Sequence, residues 1–468
     1  MRPALRLAPG SQLSTRFHVT REPITNRKLS RRKFLKASAV SATAAGFYLT
    51  GGVTESHAAQ PANERLNIAI IGCGGQGGGN LGNVAGGNNI VALCDVDDNR
   101  AGGSFNKYPK VPKYKDFRVM LDKQKDVEAV VVSTADHQHA LASIMAMRMG
   151  KHVYCEKPLT HDVWEARLMA EVAAKQKVAT QMGNQGTSSS STRECTEVIR
   201  SGAIGDIREV HVWTDRPGMY WRQGHSERPK TEDVPKTLDW DLWLGTAPQR
   251  PYNRGYCPFA WRGWWDFGTG ALGDMGCHTM NQAFMALRLG PPSSVQAVTD
   301  MPVNNESPPN GLRVTYEFPA RDKRPAVRMI WYESSRPAAD LFHGEQITSG
   351  GSLFIGAKGK LYSRGDYGGN YVLLPRADFP NYRPPEPTLP RSPGHHAEWI
   401  RACKGGTPAM SNFTDYSGPL TEIVLLGNVA IRVGKRVVWN SEKLQAVDLP
   451  AANPYIHREY RKGWELKA

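Results

Sequence analysis

Lys157, Asp274 and His278 are the three side chains whose types and surroundings could do chemistry together. Lys157 closes an apolar run, His152-Val153-Tyr154-Cys155-Glu156, and is followed by Pro158, which fixes the backbone just behind it. Asp274 and His278 stand four residues apart in Gly268-Thr269-Gly270-Ala271-Leu272-Gly273-Asp274-Met275-Gly276-Cys277-His278, with Asn281 three further on, so a helix here puts all three on one stripe. An imidazole titrating near neutrality suits removal of a hydroxyl proton, an ammonium can hydrogen-bond the same oxygen as negative charge develops, and a carboxylate can hold either one in place. Those are the needs of a secondary alcohol being oxidised, given a hydride acceptor. We read His278 as the base and Lys157 as the oxyanion partner; the reverse assignment stays open. Taken singly, Asp274 also suits a helix cap, His278 a packed ring and Lys157 a solvated surface.

The elements around them point to a nucleotide. Leu66–Ile71 has the length and composition of a strand and runs directly into Gly72-Cys73-Gly74-Gly75-Gln76-Gly77. A second apolar run, Ile90–Cys94, ends in Asp95, where a dinucleotide-binding βαβ unit carries its ribose-binding acid. Gly72 permits the tight turn, Gly74 the approach of backbone to a pyrophosphate, and Gly77 the close packing of helix on strand; Gly75 and Gln76 complete the phosphate-facing loop. Asp95 would accept hydrogen bonds from ribose hydroxyls and repel a 2′-phosphate, which favours NAD; Arg100 tempers that preference and keeps NADP as an alternative. A third run, Val127–Val132, leads into Ser133-Thr134-Ala135-Asp136-His137-Gln138-His139, a helix over 140–149 and the strand His152–Cys155. Strands alternating with helices at this spacing predict a doubly wound parallel sheet, with ligands beyond the strand C-termini, where Thr134, His139, Glu156 and Lys157 fall.

The glycine turn, the Thr-Ala-Asp-His-Gln-His loop and Gly150-Lys151-His152-Val153-Tyr154-Cys155-Glu156-Lys157-Pro158 together resemble the glucose–fructose oxidoreductase/inositol dehydrogenase/rhizopine catabolism (Gfo/Idh/MocA) family. The likeness is specific over most of residues 64–300 and looser beyond. It includes a D-x-x-x-H motif at Asp274 and His278, and it departs at Ala135, where proline is more usual. The resemblance implies an α/β fold of a Rossmann domain plus a C-terminal α/β domain with a largely antiparallel open sheet. One face of that sheet would cover the site and the other would often mediate homo-oligomers.

Between Trp213 and Trp265 lie seven of the chain's 12 Trp. Large aromatics anchor an irregular insertion, and their faces also stack on sugar rings; Trp264 and Trp265, nearest the helix, are the expected substrate contacts. Asn184 and Asn281 are the expected polar ones. Beyond residue 204 the runs Ile207–Trp213, Gly311–Phe318, Ala326–Tyr332 and Gly351–Ile355 read as strands, and His395 and His396 open an amphipathic helix through Trp399 and Ile400. The expected reading is therefore an NAD(P)-dependent oxidoreductase of a sugar, polyol or glycoside. A glycoside hydrolase working through a transient keto-sugar, and a sensor on the same fold, are the alternatives.

Composition limits the rest. The formal charge of +15 is concentrated at the start, where residues 1–58 hold ten Lys or Arg against Glu22 and Glu55. The remainder is mildly basic without clustering, which argues against a nucleic-acid footprint. Ser30-Arg31-Arg32-Lys33-Phe34-Leu35-Lys36, the apolar stretch Ala37–Leu49 and Ser56-His57-Ala58 form the layout of a signal peptide of twin-arginine type. The 29 residues ahead of Ser30 are long for its first region, which favours a start downstream of Met1. No Cys precedes Cys73, which argues against a lipid anchor. The expectation is export through the twin-arginine machinery to the periplasm, with 59–185 as the nucleotide domain and 186–468 as the substrate domain. Seven cysteines without framework or C-x-x-C spacing suit buried thiols, with neither disulfides nor structural zinc.

Overall fold

The computed structural model describes residues 65–466, and the leader-like segment falls outside them. Six strands form the first sheet: β1 Asn67–Ile71, β2 Asn89–Cys94, β3 Lys113–Tyr114, β4 Ala129–Val132, β5 His152–Cys155 and β6 Thr180–Met182. All pair in parallel, in the order β3-β2-β1-β4-β5-β6. Strands covered on both faces have no need to alternate, and β4, Ala-Val-Val-Val, is buried at every position. The order reverses between β1 and β4. Their C-terminal ends part there and leave a crevice, and the loops after β1, β4 and β5 carry Gly72, Thr134 and Lys157 to it.

Nine strands form the second sheet: β7 Ile207–Thr214, β8 Ser294–Thr299, β9 Leu312–Phe318, β10 Val327–Glu333, β11 Gly350–Gly356, β12 Gly359–Arg364, β13 Tyr371–Leu374, β14 Val437–Asn440 and β15 Gln445–Ala446. Their order is β13-β12-β11-β7-β10-β9-β8-β14-β15, with β7 and β10 parallel and every other pairing antiparallel. Strand β9, Leu-Arg-Val-Thr-Tyr-Glu-Phe, alternates buried with more accessible residues, as a sheet with one covered face must. The covered face packs on the helix Gly418–Val433, which also meets Val163–Gln176 and Gly270–Thr279. One apolar core consequently runs from the parallel sheet through these helices into the second sheet.

Two local outcomes bear on how the site is built. The helix that carries Asp274 and His278 ends before Asn281: Gly270–Thr279 and Asn281–Leu287 are two helices meeting at Met280, in place of one continuous stripe. The helix His395–Cys403, late in the chain, returns to the first sheet, where Trp399 and Cys403 join the core of Leu66, Ile68, Ile70 and Tyr154. All seven cysteines are free and buried.

Candidate active site

The glycine turn is dictated by space. Gly72 has φ +81°, and a Cβ there would lie 2.5 Å from the Ser133 carbonyl oxygen. A Cβ on Gly77 would lie 1.8 Å from the Gly72 carbonyl oxygen, so only glycine lets the helix Gln76–Ala85 start this close to β1. That helix has Gly75 at its N-cap and no side chain capping it, so its start at the edge of the crevice has no side-chain acceptor of its own. At the end of β2, the Asp95 carboxylate accepts the Cys73 N–H at 2.7 Å and the Asp97 N–H at 3.0 Å, and so clamps the turn. Burial pushes the Asp95 carboxyl above its usual range, and these hydrogen bonds work against that.

The other end of the crevice gathers charges from distant segments. The Lys157 ammonium donates to Asp274 Oδ1 at 2.6 Å, and Arg262 Nε donates to the same oxygen at 2.9 Å. Burial alone would lower the lysine; the Asp274 carboxylate overcomes it and holds the ammonium above its ordinary value. Asp274 is held well below the carboxylate range, because its two cations outweigh burial. One turn on, His278 is held well below the usual histidine range, first by burial and then by the Lys157 charge, so the ring is neutral. Its Nδ1 is buried without a hydrogen-bond partner, and the ring meets Tyr367 edge-on at 4.5 Å. Glu156 faces the glycine turn, accepting from Asn80 at 2.9 Å and Gln76 at 3.3 Å. Burial raises its carboxyl.

These ends share one cavity of about 460 Å³. It brings together Gly72, Gly74, Gly75, Gln76, Asp95, Thr134, Glu156, Lys157 and His278, and Gly77 lies beneath it. Asp274 reaches the cavity through Lys157 and Arg262.

Five expected contacts sit elsewhere, each for a local reason. His139 is buried with Nδ1 at 2.8 Å from the Pro158 carbonyl and Nε2 at 3.1 Å from that of Thr134, so it ties two site loops together. Burial holds it down at about 4. Asn184 donates to Asn281 Oδ1 at 3.3 Å, and Tyr416 donates to the same oxygen at 2.7 Å; both asparagines spend their polarity inside the protein. Trp264 is buried against Tyr256 and donates Nε1–H to the Gly255 carbonyl at 3.1 Å. Trp265 lines a different cavity, of about 240 Å³, with Arg432 at 4.8 Å from its ring.

Lining the cavity as well are Arg262, Phe259 and Tyr367, which sequence reasoning missed, and Trp261 and Trp243 from the aromatic cluster it singled out. Arg262 and Trp261 lie on a short 3-10 turn, Ala260–Gly263, and Tyr367 on the hairpin between β12 and β13. Neither segment carries a periodicity or motif that marks it. Asp136 was also missed. It accepts from the Thr269 hydroxyl at 2.7 Å, and burial pushes its carboxyl up to about 7.

Residues 66–184 match the model of an oxidoreductase family's NAD-binding Rossmann fold, and residues 188–466 match the same family's C-terminal alpha/beta domain. Inositol 2-dehydrogenase of Salmonella typhimurium is 30% identical over 151 residues, 31% of this chain and 45% of that protein. A glycosyl hydrolase family 109 protein of Solibacter usitatus is 34% identical over 158 residues, 30% of this chain and 35% of that protein. The chain thus spans less than half the length of these curated relatives. Among solved structures, the WlbA dehydrogenase of Bordetella pertussis, in complex with NADH and UDP-GlcNAcA, aligns with a TM-score of 0.57 at 17% identity, covering 81% of this chain and 99% of its own. An aldose-aldose oxidoreductase from Caulobacter crescentus, complexed with glycerol, aligns at 0.52 and 19%, covering 80% and 100%. At such identities these two structures establish the shared fold. With both halves matched in order, the chain belongs to the Gfo/Idh/MocA oxidoreductase family.

Proposed function

We propose that this protein oxidises or reduces a hydroxyl-bearing carbon of a sugar, polyol or glycoside with NAD. The observation that carries the reading is the Lys157–Asp274 pair beside a neutral His278, at the far end of the cavity that begins at the glycine turn. The residues fit the dinucleotide: an uncapped helix start, a cradle that any Cβ would fill, and Asp95 at the ribose position. Gly72, Gly74, Gly75, Gln76 and Asp95 would hold it, with Glu156 beside the glycine turn and Thr134 toward the reacting end. When bound, NAD supplies the acceptor for the hydride.

The protein's own part is the proton and the charge. Lys157 stays an ammonium at neutral pH and is therefore a donor to the substrate oxygen, not a base. His278 is neutral, with Nδ1 unengaged, and takes the hydroxyl proton. Asp274, gripped by Lys157 and Arg262, fixes the ammonium in direction. Because burial and Lys157 both disfavour an imidazolium, a proton held on His278 is returned readily. That suits a cycle in which a carbon is oxidised and then reduced again.

Export follows from the twin-arginine-like leader in the sequence, and with it a tightly held cofactor, because free NAD is scarce outside the cytoplasm. Protein taken from the periplasm should carry nicotinamide; full activity of stripped protein without added cofactor would refute this. Lys157→Ala and His278→Ala are the direct test of the site: wild-type turnover in both, with NAD bound, would refute the assignment. A second reading is favoured by the likeness to a glycosyl hydrolase family 109 protein: glycoside cleavage through a transient keto-sugar, without net oxidation. Product analysis on an isotopically labelled glycoside distinguishes the two.

A further inference from the structure

We propose that the substrate carries at least two sugar rings, and that the second ring rests on an exposed aromatic rim made by Tyr220, Phe259 and Tyr367. The inference builds on the oxidoreductase reading and names its substrate class. Single exposed apolar side chains need no explanation, but several converging at a cavity mouth do. Tyr220 is 51% exposed, Phe259 43%, Tyr367 43% and the adjoining Met219 64%. Phe259 and Tyr367 line the cavity at its reacting end, and Tyr367 touches the His278 ring, so the rim begins where the reacting residues stop.

The rim is braced. Arg216 stacks on Tyr220 at 4.5 Å, donates to the Tyr367 hydroxyl at 3.3 Å, and is anchored by Asp366 at 3.1 Å. The loop that carries Tyr367 is pinned by Ser191, whose hydroxyl donates to the Gly368 carbonyl at 2.9 Å. Across the mouth, Phe259 packs edge-on against Trp221, the chain neighbour of Tyr220, and Arg262 lies 4.8 Å from its ring. Held rings lose little freedom when a ligand lands on them.

Size and chemistry select the occupant. The cavity of about 460 Å³ has the glycine turn at one end and Lys157 and His278 at the other, so a group bonded to the reacting ring on its outer side would extend over the mouth. Four side chains fall far short of the roughly 800 Å² per partner that a stable protein interface buries. A pyranose presents a C–H face for aromatic rings and an edge of hydroxyls for arginine donors, and the rim offers both.

The test measures affinities of the NAD-saturated protein for glucose, galactose and mannose, and for cellobiose, maltose, lactose and mannobiose. The matching disaccharide should bind roughly 10- to 30-fold more tightly than its monosaccharide, the effect of two stacking contacts. Tyr220→Ala should cut that advantage by roughly 3- to 10-fold and Tyr220→Phe should keep it, with monosaccharide and NAD affinities unchanged. The proposal is overturned if no disaccharide gains affinity, if the gain survives Tyr220→Ala, or if Tyr220→Ala lowers the oligomeric state, which would make the rim a contact between copies. Turnover separates the parent reading: absence, with every sugar, of both Lys157-dependent transient nicotinamide reduction and any Lys157-dependent product would refute the oxidoreductase assignment and leave the affinity result standing.

Discussion

The two ends of the cavity are built on different principles. The nucleotide end is contiguous: one turn after β1, braced by Asp95 at the end of the neighbouring β2. Its geometry is written in absent side chains and backbone N–H groups. The reacting end is assembled from segments far apart in the chain, Lys157 after β5, Arg262 on a 3-10 turn, Asp274 and His278 on a helix, and Tyr367 on a hairpin. There the geometry lives in paired charges and packed rings. Backbone-made sites tolerate no added atom, whereas side-chain-made sites fail by loss of a group.

Perturbations should separate the two ends. The largest effect is expected from Lys157→Ala, which removes the proposed oxyanion partner and leaves Asp274 facing only Arg262; turnover should fall by roughly 10³-fold or more, with NAD affinity little changed. His278→Ala should follow, at roughly 10²- to 10³-fold in turnover, again sparing NAD affinity. Equal losses of NAD affinity in either variant would erase the distinction between the ends. Gly77→Ala should do the opposite. Its Cβ would meet the Gly72 carbonyl oxygen at 1.8 Å, and NAD affinity should drop by roughly 10- to 100-fold, measured by titration of the purified variant. Asp95→Ala should alter the ratio of NAD to NADP affinity by roughly tenfold, toward NADP, at some loss of turn stability through the freed Cys73 and Asp97 N–H groups. The smallest effect is itself diagnostic. His278 is lowered and Lys157 raised, so neither titrates near pH 6.5, and in an Asp136→Asn variant, which removes the buried carboxyl at about 7 that interacts with Lys157, turnover should stay within about twofold between roughly pH 6 and 8. A bell centred in that interval would assign the base to another group.

The same contrast explains what could be read from the sequence. The strand, the glycines and Asp95 are neighbours in sequence because a βαβ unit makes them neighbours in space, so their pattern is local. Lys157, Asp274 and His278 were legible because a strand end and a helical period mark them. Arg262 and Tyr367 sit on short turns whose position is set only by tertiary packing, and no spacing announces them. The tryptophans show the limit most clearly. Trp264 and Trp265 are nearest the helix in sequence, but neither lines the cavity, while Trp261, also buried, and Trp243 do. Asn184 and Asn281 follow suit: a helix break at Met280 and the hydroxyl of Tyr416 turn them into an internal network.

The return of residues 395–403 to the first sheet has a practical meaning for anyone recombining such proteins. A fragment ending near residue 185 would strip the indole of Trp399 from the surface made by Leu66, Ile68 and Tyr154 and leave a greasy scar on the nucleotide half. A chimera that borrows this half must therefore bring along a splint encoded some two hundred residues downstream.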